Sequence, residues 1–192
     1  MLTPGGDVEL AVKRAEEMAK ENPRVFLPQQ FKNPVNPATH RENTGQEIII
    51  QTGGRVDAFV TGIGIGGTLT GVAEALKKVN PHVKIVAVEP AECSALTPGG
   101  KCGPHKIEGI GDGFIPQVLR VDLIDELITP TSEEAYDMAR RLAREEGILA
   151  GPSSGANVFA ALKVAKDLGI GRVVVTVLPD SGQRYLSTEL FQ

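Results

Sequence analysis

The chain has 192 residues, of which 41% are hydrophobic, enough for one sizeable core in an ordinary globular protein. A formal net charge of −4 and 4% aromatics without tryptophan supply neither the basic footprint nor the stacking platforms of a nucleic-acid binder. No apolar run approaches a membrane span, and Met1 precedes Leu-Thr-Pro-Gly-Gly rather than a basic and then apolar leader, so a cytoplasmic location is expected.

From Val8 to Asn22 apolar and charged residues alternate at helical spacing, after a Gly5-Gly6-Asp7 start signal and before the stop at Asn22-Pro23. Arg24 to Leu27 reads as a short strand, Pro28 to Pro37 as a proline- and amide-rich loop, and about Pro37 to Thr52 as a helix containing Ile48, Ile49 and Ile50. Val56–Val60 is a strand, Thr68–Val79 a helix, and Lys84–Glu89 a second strand whose continuous apolar run marks a parallel sheet covered on both faces. Residues 90–118 are dense in proline and glycine, and an irregular stretch of that length inside a compact chain is usually functional. Leu127–Thr129 reads as a strand, Ser132–Glu146 as a helix capped by Ser132, and Gly147–Ala150 as a strand. A helix from Ser153 or Ser154 to about Leu168 and a central strand, Arg172–Leu178, follow.

This alternation predicts an α/β fold, a doubly wound and mostly parallel sheet with helices on both faces and ligands at the carboxyl ends of its strands. Three glycine-rich or polar loops fall at such ends: 62–68, 151–156 and 179–182. Cys93 and Cys102 have no C-x-x-C spacing and no secretory context, and are read as ordinary reduced thiols. His40, His82 and His105 form no ligand pair, so no metal site is expected, and His105 is assigned a cap or loop hydrogen bond.

The chemistry concentrates at Asp57–Val72, where a short apolar strand runs through Gly62, Gly64, Gly66 and Gly67 into a helix beginning at Thr68. Glycine lets backbone N–H groups close on an anion, and the helix dipole favours negative charge there, so a phosphate site is predicted. Gly62-x-Gly64-x-x-Gly67 also fits a dinucleotide fingerprint, with Glu89 where a ribose-binding acid would stand. Against nicotinamide binding, Thr68 adds a hydroxyl suited to a terminal phosphate, and Glu89 before Pro90 is equally an ordinary solvated residue. The serine loop Gly151-Pro152-Ser153-Ser154-Gly155-Ala156 has no role in a dinucleotide site but has one beside a pyridine ring.

Along its whole length the chain resembles the fold type II pyridoxal-phosphate enzymes, and among them the cysteine synthase (O-acetylserine sulfhydrylase) family. The resemblance runs through residues 27–37, His40-Arg41-x-x-Thr44-Gly45-x-Glu47-Ile48, the phosphate loop, Val88-Glu89-Pro90, residues 103–116, the serine loop and residues 178–188. It implies that Gly64, Ile65, Gly66, Gly67 and Thr68 hold the phosphate of pyridoxal 5'-phosphate, with Ile65 replacing a usual threonine. It further implies that Ser153 bonds the pyridine nitrogen, that Asp180 lies near the ring, and that Gln30, Gly109, Ile110 and Gly111 approach the amino-acid substrate. A plain helix cap is the alternative for Ser153, and Ser154 is a cap candidate too.

The family's Schiff-base lysine sits in a Ser-Val-Lys-Asp-Arg type segment, a setting that none of the lysines from Lys13 to Lys166 has, so no catalytic residue is assigned here. The resemblance implies the C-terminal two-thirds of such an enzyme, with 1–35 a remnant of the smaller domain and 36–192 the large cofactor-binding domain. The implied reaction is replacement of the acetate of O-acetylserine by sulfide, in a homodimer that docks serine acetyltransferase. A cystathionine β-synthase-like enzyme, a non-catalytic binding module and a nicotinamide-dinucleotide domain stand as alternatives.

Overall fold

The computed structural model describes residues 8–192; the Gly5-Gly6-Asp7 start signal lies outside them. Four parallel strands, β1 (Ala58–Gly62), β2 (Lys84–Val88), β3 (Glu126–Ile128) and β4 (Val174–Thr176), form one sheet in the order β3-β2-β1-β4. Successive side chains alternate between its faces. Phe59, Ile85 and Ala87 pack on one side against Leu69, Val72 and Leu76 of α4 (Gly67–Val79). On the other, Ala58, Val60, Val86 and Val88 pack against Ala135 of α5 (Ser132–Glu145) and Ala156, Ala160 and Val164 of α6 (Pro152–Leu168). The doubly wound α/β reading therefore holds.

The N-terminal helix α1 spans Val8–Glu21. A second helical stretch begins two residues before the expected Pro37, as α2 (Val35–Thr39), passes through a π-helical turn at His40–Thr44 and continues as α3 (Gly45–Thr52). It lies directly on α4 because two glycines remove the side chains between them. A Cβ on Gly71 would stand 2.2 Å from Pro37 O and 2.7 Å from Arg41 N, and one on Gly45 would stand 2.5 Å from Ala75 Cβ.

Several expectations are corrected. The segment 172–178 is not central: β4 pairs with β1 alone, forms an edge among the described residues and is only half-buried. Val174 and Val175 pack partly against the cores on the two faces of the sheet, and the sequence pattern cannot distinguish such an apolar run from a central strand. Asp57 anchors this edge by accepting the Val173 N–H at 2.8 Å and an Arg172 N–H at 2.9 Å, bonds that hold its carboxyl below the usual range. Neither 24–27 nor 147–150 forms a strand; Ala150 makes only an isolated bridge to Ser181.

The helix caps also differ. Thr131 caps α5 in a reciprocal capping box with Glu134. Ser132 instead accepts the Lys106 N–H at 2.9 Å. At α6 the cap is Gly151 with Pro152 in the first turn, so neither Ser153 nor Ser154 caps the helix.

Residues 90–118 are irregular as expected, but Cys93 and Cys102 are joined in a disulfide rather than held as separate thiols. An antiparallel bridge sets the two backbones side by side, a contact that sequence spacing alone does not show. His105 makes the expected loop hydrogen bonds: its Nδ1 accepts the Ile107 N–H at 3.3 Å, which leaves Nε2 to donate to Gly111 O at 3.1 Å. Glu89 is not solvated. It is 2% exposed and accepts from Ser94 Oγ at 2.8 Å and the Leu96 N–H at 3.0 Å. Among the described residues there is no helix long and apolar enough to cross a membrane and no cluster of metal-ligating side chains.

Candidate functional site

The three loops identified in the sequence meet in one cleft of 620 Å³ at the carboxyl end of the sheet. The loop after β1 brings Gly64, Ile65, Gly66, Gly67 and Thr68 to it; the start of α6 brings Ser153 and Asn157; the segment after β4 brings Pro179, Asp180, Arg184 and Tyr185. Gly109 and Ile110 close the fourth side. Two predicted residues stand elsewhere. Gly111 is turned into the fold, donating to Ile63 O at 3.1 Å, and Gln30 does not line the cleft, its carbonyl accepting from Asn36 Nδ2 at 3.2 Å.

The glycine loop is shaped by contact on every side. A Cβ on Gly64 would meet Gly109 O at 2.4 Å, one on Gly67 would meet Asn36 Oδ1 at 1.9 Å, and Gly66 holds φ +83° in the left-handed region. The chain then enters α4, thirteen residues long, whose first N–H groups have no partner inside the helix. No side-chain cap takes that place at Gly66. Uncapped N–H groups at the positive end of a helix dipole are a site for phosphate.

Across the cleft, Ser153 is 4% exposed and Asn157, one helical turn later on the same face of α6, is fully buried. Asn157 donates to Val177 O at 2.8 Å, while its Oδ1 is buried without a partner, an acceptor matched to a group that brings a hydrogen into the cleft. Tyr185 Oη donates to Asp180 Oδ2 at 2.6 Å. Burial, then this bond to a carboxylate, pushes the phenol well above its ordinary range. A buried anion cradle, a neutral hydroxyl and an unpartnered amide oxygen on opposite walls fit a flat, polar, phosphate-bearing group such as pyridoxal phosphate.

Sequence reasoning does not assign Asn36, His40, Thr44, Asn157 or Tyr185 to the cleft, although all line it. For Asn157 a signal exists: it follows Ser153 by four residues in a helix. For His40 and Thr44 the signal is the same four-residue spacing, but only the packing of this helical stretch on α4 brings His40 to Thr68.

A profile of the family described as "Pyridoxal-phosphate dependent enzyme" matches residues 1–180. The chain is 51% identical to a cysteine synthase of Staphylococcus aureus (strain Mu50 / ATCC 700699) over 193 residues, covering 100% of this chain and 62% of that protein. It thus spans less than two-thirds of that curated relative's length. Among solved structures, O-ureido-L-serine synthase superposes with a TM-score of 0.93 at 44% identity, over 100% of this chain and 60% of the other. An O-acetylserine-dependent cystathionine β-synthase from Helicobacter pylori superposes with a TM-score of 0.93 at 41% identity, over 99% of this chain and 62% of the other. With the phosphate loop, the serine-bearing helix and these matches in agreement, the chain belongs to the pyridoxal-phosphate-dependent enzyme family, in its fold type II form.

Proposed function

We propose that this chain carries the cofactor-binding portion of a cysteine synthase, an enzyme that replaces the acetate of O-acetylserine by sulfide and releases L-cysteine and acetate. The observation that carries the reading is the placement of the Gly64–Thr68 loop and Ser153 on opposite walls of one cleft. The identity with the Staphylococcus aureus cysteine synthase supports it. When bound, pyridoxal phosphate supplies the electron sink that loosens bonds at the substrate's α-carbon. The backbone N–H groups at the start of α4 and the Thr68 hydroxyl bind the phosphate. Ser153 would hold the pyridine nitrogen with a neutral hydroxyl, which would draw less charge through the ring than a carboxylate and so suit loss of a β-substituent. Gly109 and Ile110, which carry little or no side-chain polarity, leave room for the amino acid and shield it from water.

Among the described residues lining the cleft there is no lysine, and His40 and Arg184 are the basic ones. With no amine to take the α-proton, the chain assayed alone with O-acetylserine and sulfide is expected to form no cysteine above the free-cofactor background. Mixing with a polypeptide that carries the family's lysine segment is expected to restore turnover. Cysteine formation by the isolated chain would refute this assignment of roles. Residues 1–35 are proposed to belong to the smaller domain and 36–192 to the large one, in a homodimer able to dock serine acetyltransferase. The cystathionine β-synthase-like alternative is favoured by the Helicobacter pylori structure, and homocysteine outcompeting sulfide in the reconstituted assay would select it. Burial of Glu89 behind Ser94 and Leu96 makes that acid unavailable to a ribose and argues against the dinucleotide alternative.

A further inference from the structure

The π-helical turn brings a histidine between two hydroxyls. His40 Nδ1 lies 3.0 Å from Thr44 Oγ1 and Nε2 lies 3.2 Å from Thr68 Oγ1. The contact exists because Gly71 lets the turn approach α4: a Cβ there would stand 2.7 Å from His40 Cβ. Thr68 is the second residue of α4, and no other residue from 62 to 68 carries a side-chain hydroxyl.

A neutral imidazole carries one N–H, so its tautomer decides which way each hydroxyl hydrogen points. If Nδ1 holds the proton it donates to Thr44, and Nε2 must accept from Thr68. The Thr68 hydrogen is then spent on the ring, and an oxygen lone pair faces the cleft where the anion would lie. If Nε2 holds the proton, Thr44 donates to Nδ1, Nε2 donates to Thr68 Oγ1, and the Thr68 hydrogen is free to reach into the cleft. Burial lowers the pKa of His40, which keeps the ring neutral and makes this choice real.

We propose that His40 is a positioning residue, held as its Nε2–H tautomer by Thr44, that turns the Thr68 hydroxyl hydrogen toward the phosphate of a phosphomonoester in the cleft. The inference rests on the cofactor reading above and adds a residue that acts on the phosphate only through Thr68.

The test measures pyridoxal phosphate affinity of the full chain by fluorescence, together with the tautomer of His40 by long-range proton–nitrogen correlation, assigned with the variant His40→Gln. Thr68→Ala and His40→Asn are each expected to weaken binding about tenfold, the worth of one hydrogen bond to a charged group. The double variant Thr68→Ala/His40→Asn is expected to bind no worse than Thr68→Ala. His40→Gln, whose amide nitrogen falls near the position of Nε2, is expected to rescue binding to within about threefold, well under the tenfold worth of the lost bond. With saturating cofactor the ring of the unaltered protein is expected in the Nε2–H form. An Nδ1–H ring in the complex, or His40→Asn binding normally while Thr68→Ala is weakened, overturns the role of His40 and leaves the phosphate loop standing. Normal binding by Thr68→Ala overturns both. Should His40→Asn fail to fold, the tautomer of the unaltered protein still decides.

Discussion

Tyr185 and Asp180 form the most constrained pair in the cleft. Their 2.6 Å hydrogen bond joins a phenol that is 5% exposed to a carboxylate whose other oxygen is buried without a partner. Tyr185→Phe would leave the carboxylate without its donor, so it is expected to lower stability by about 1–3 kcal/mol in urea unfolding. The same variant should change the alkaline limb. The folded phenol titrates above the ordinary value of 10.0, because burial and then Asp180 disfavour its anion. Above pH 10.0 the unfolded chain therefore loses this proton while the folded chain keeps it, and stability falls as pH rises. Tyr185→Phe is expected to flatten that fall; identical slopes in the two proteins would refute it. At this scale the glycine loop is legible in the sequence because crowded glycines at a strand end have few other uses. Tyr185 is not, because its partner is set by how the chain folds back after β4.

Among the elements, α5 and α6 touch most closely at Gly155, where a Cβ would stand 2.0 Å from Ala135 O and 2.9 Å from Ala139 N. Gly155→Ala gains about 1 kcal/mol of helix propensity. It loses about 1–3 kcal/mol or more to overpacking, because the obstructing atoms are backbone and cannot swing aside. The net effect is expected to be a lower melting temperature, by a few degrees for a chain of this size, with weaker cofactor binding because α6 carries Ser153 and Asn157. Calorimetry and a fluorescence titration check the two parts, and a variant more stable than the parent would show that α5 yields. Helix existence and the β1–α4–β2 unit are legible from periodicity alone. The edge position of β4 is not, because its partner β1 lies far along the chain. The capping box of Thr131 and Glu134 is a local T-x-x-E signal in which Ser132 competes for the cap, and the Cys93–Cys102 bond depends on how the intervening loop folds back on itself. The disulfide closes a loop within residues 90–118, next to the Gly109–Ile110 wall. Reduction, or Cys102→Ser, is expected to lower stability by about 2–3 kcal/mol, read as a shift in the urea midpoint.

At the scale of the molecule, the sheet of the described residues ends in β3 on one side and β4 on the other, and β4 is only half covered. Ile170 beside it is fully exposed, and Leu162 and Leu178 are partly so. An uncovered strand edge flanked by apolar side chains recruits other chains. Sedimentation is therefore expected to give a dimer or larger species at micromolar concentration, and a single monomeric boundary would refute this.

The pairing of β1 with β4 has a kinetic consequence as well. Ala58 pairs with Val174, more than a hundred residues further along, so the sheet is completed by a contact that closes a very long loop. Such closures form late and slowly, because loop entropy must be overcome before any bond rewards it. The glycine loop and α4 can form around β1 and β2 early, from neighbouring residues. The wall at Asp180 and Tyr185 cannot exist until β4 has docked. During refolding, helical signal is thus expected to return before the cleft can hold its ligand, so that the lag between the two times the last strand's arrival.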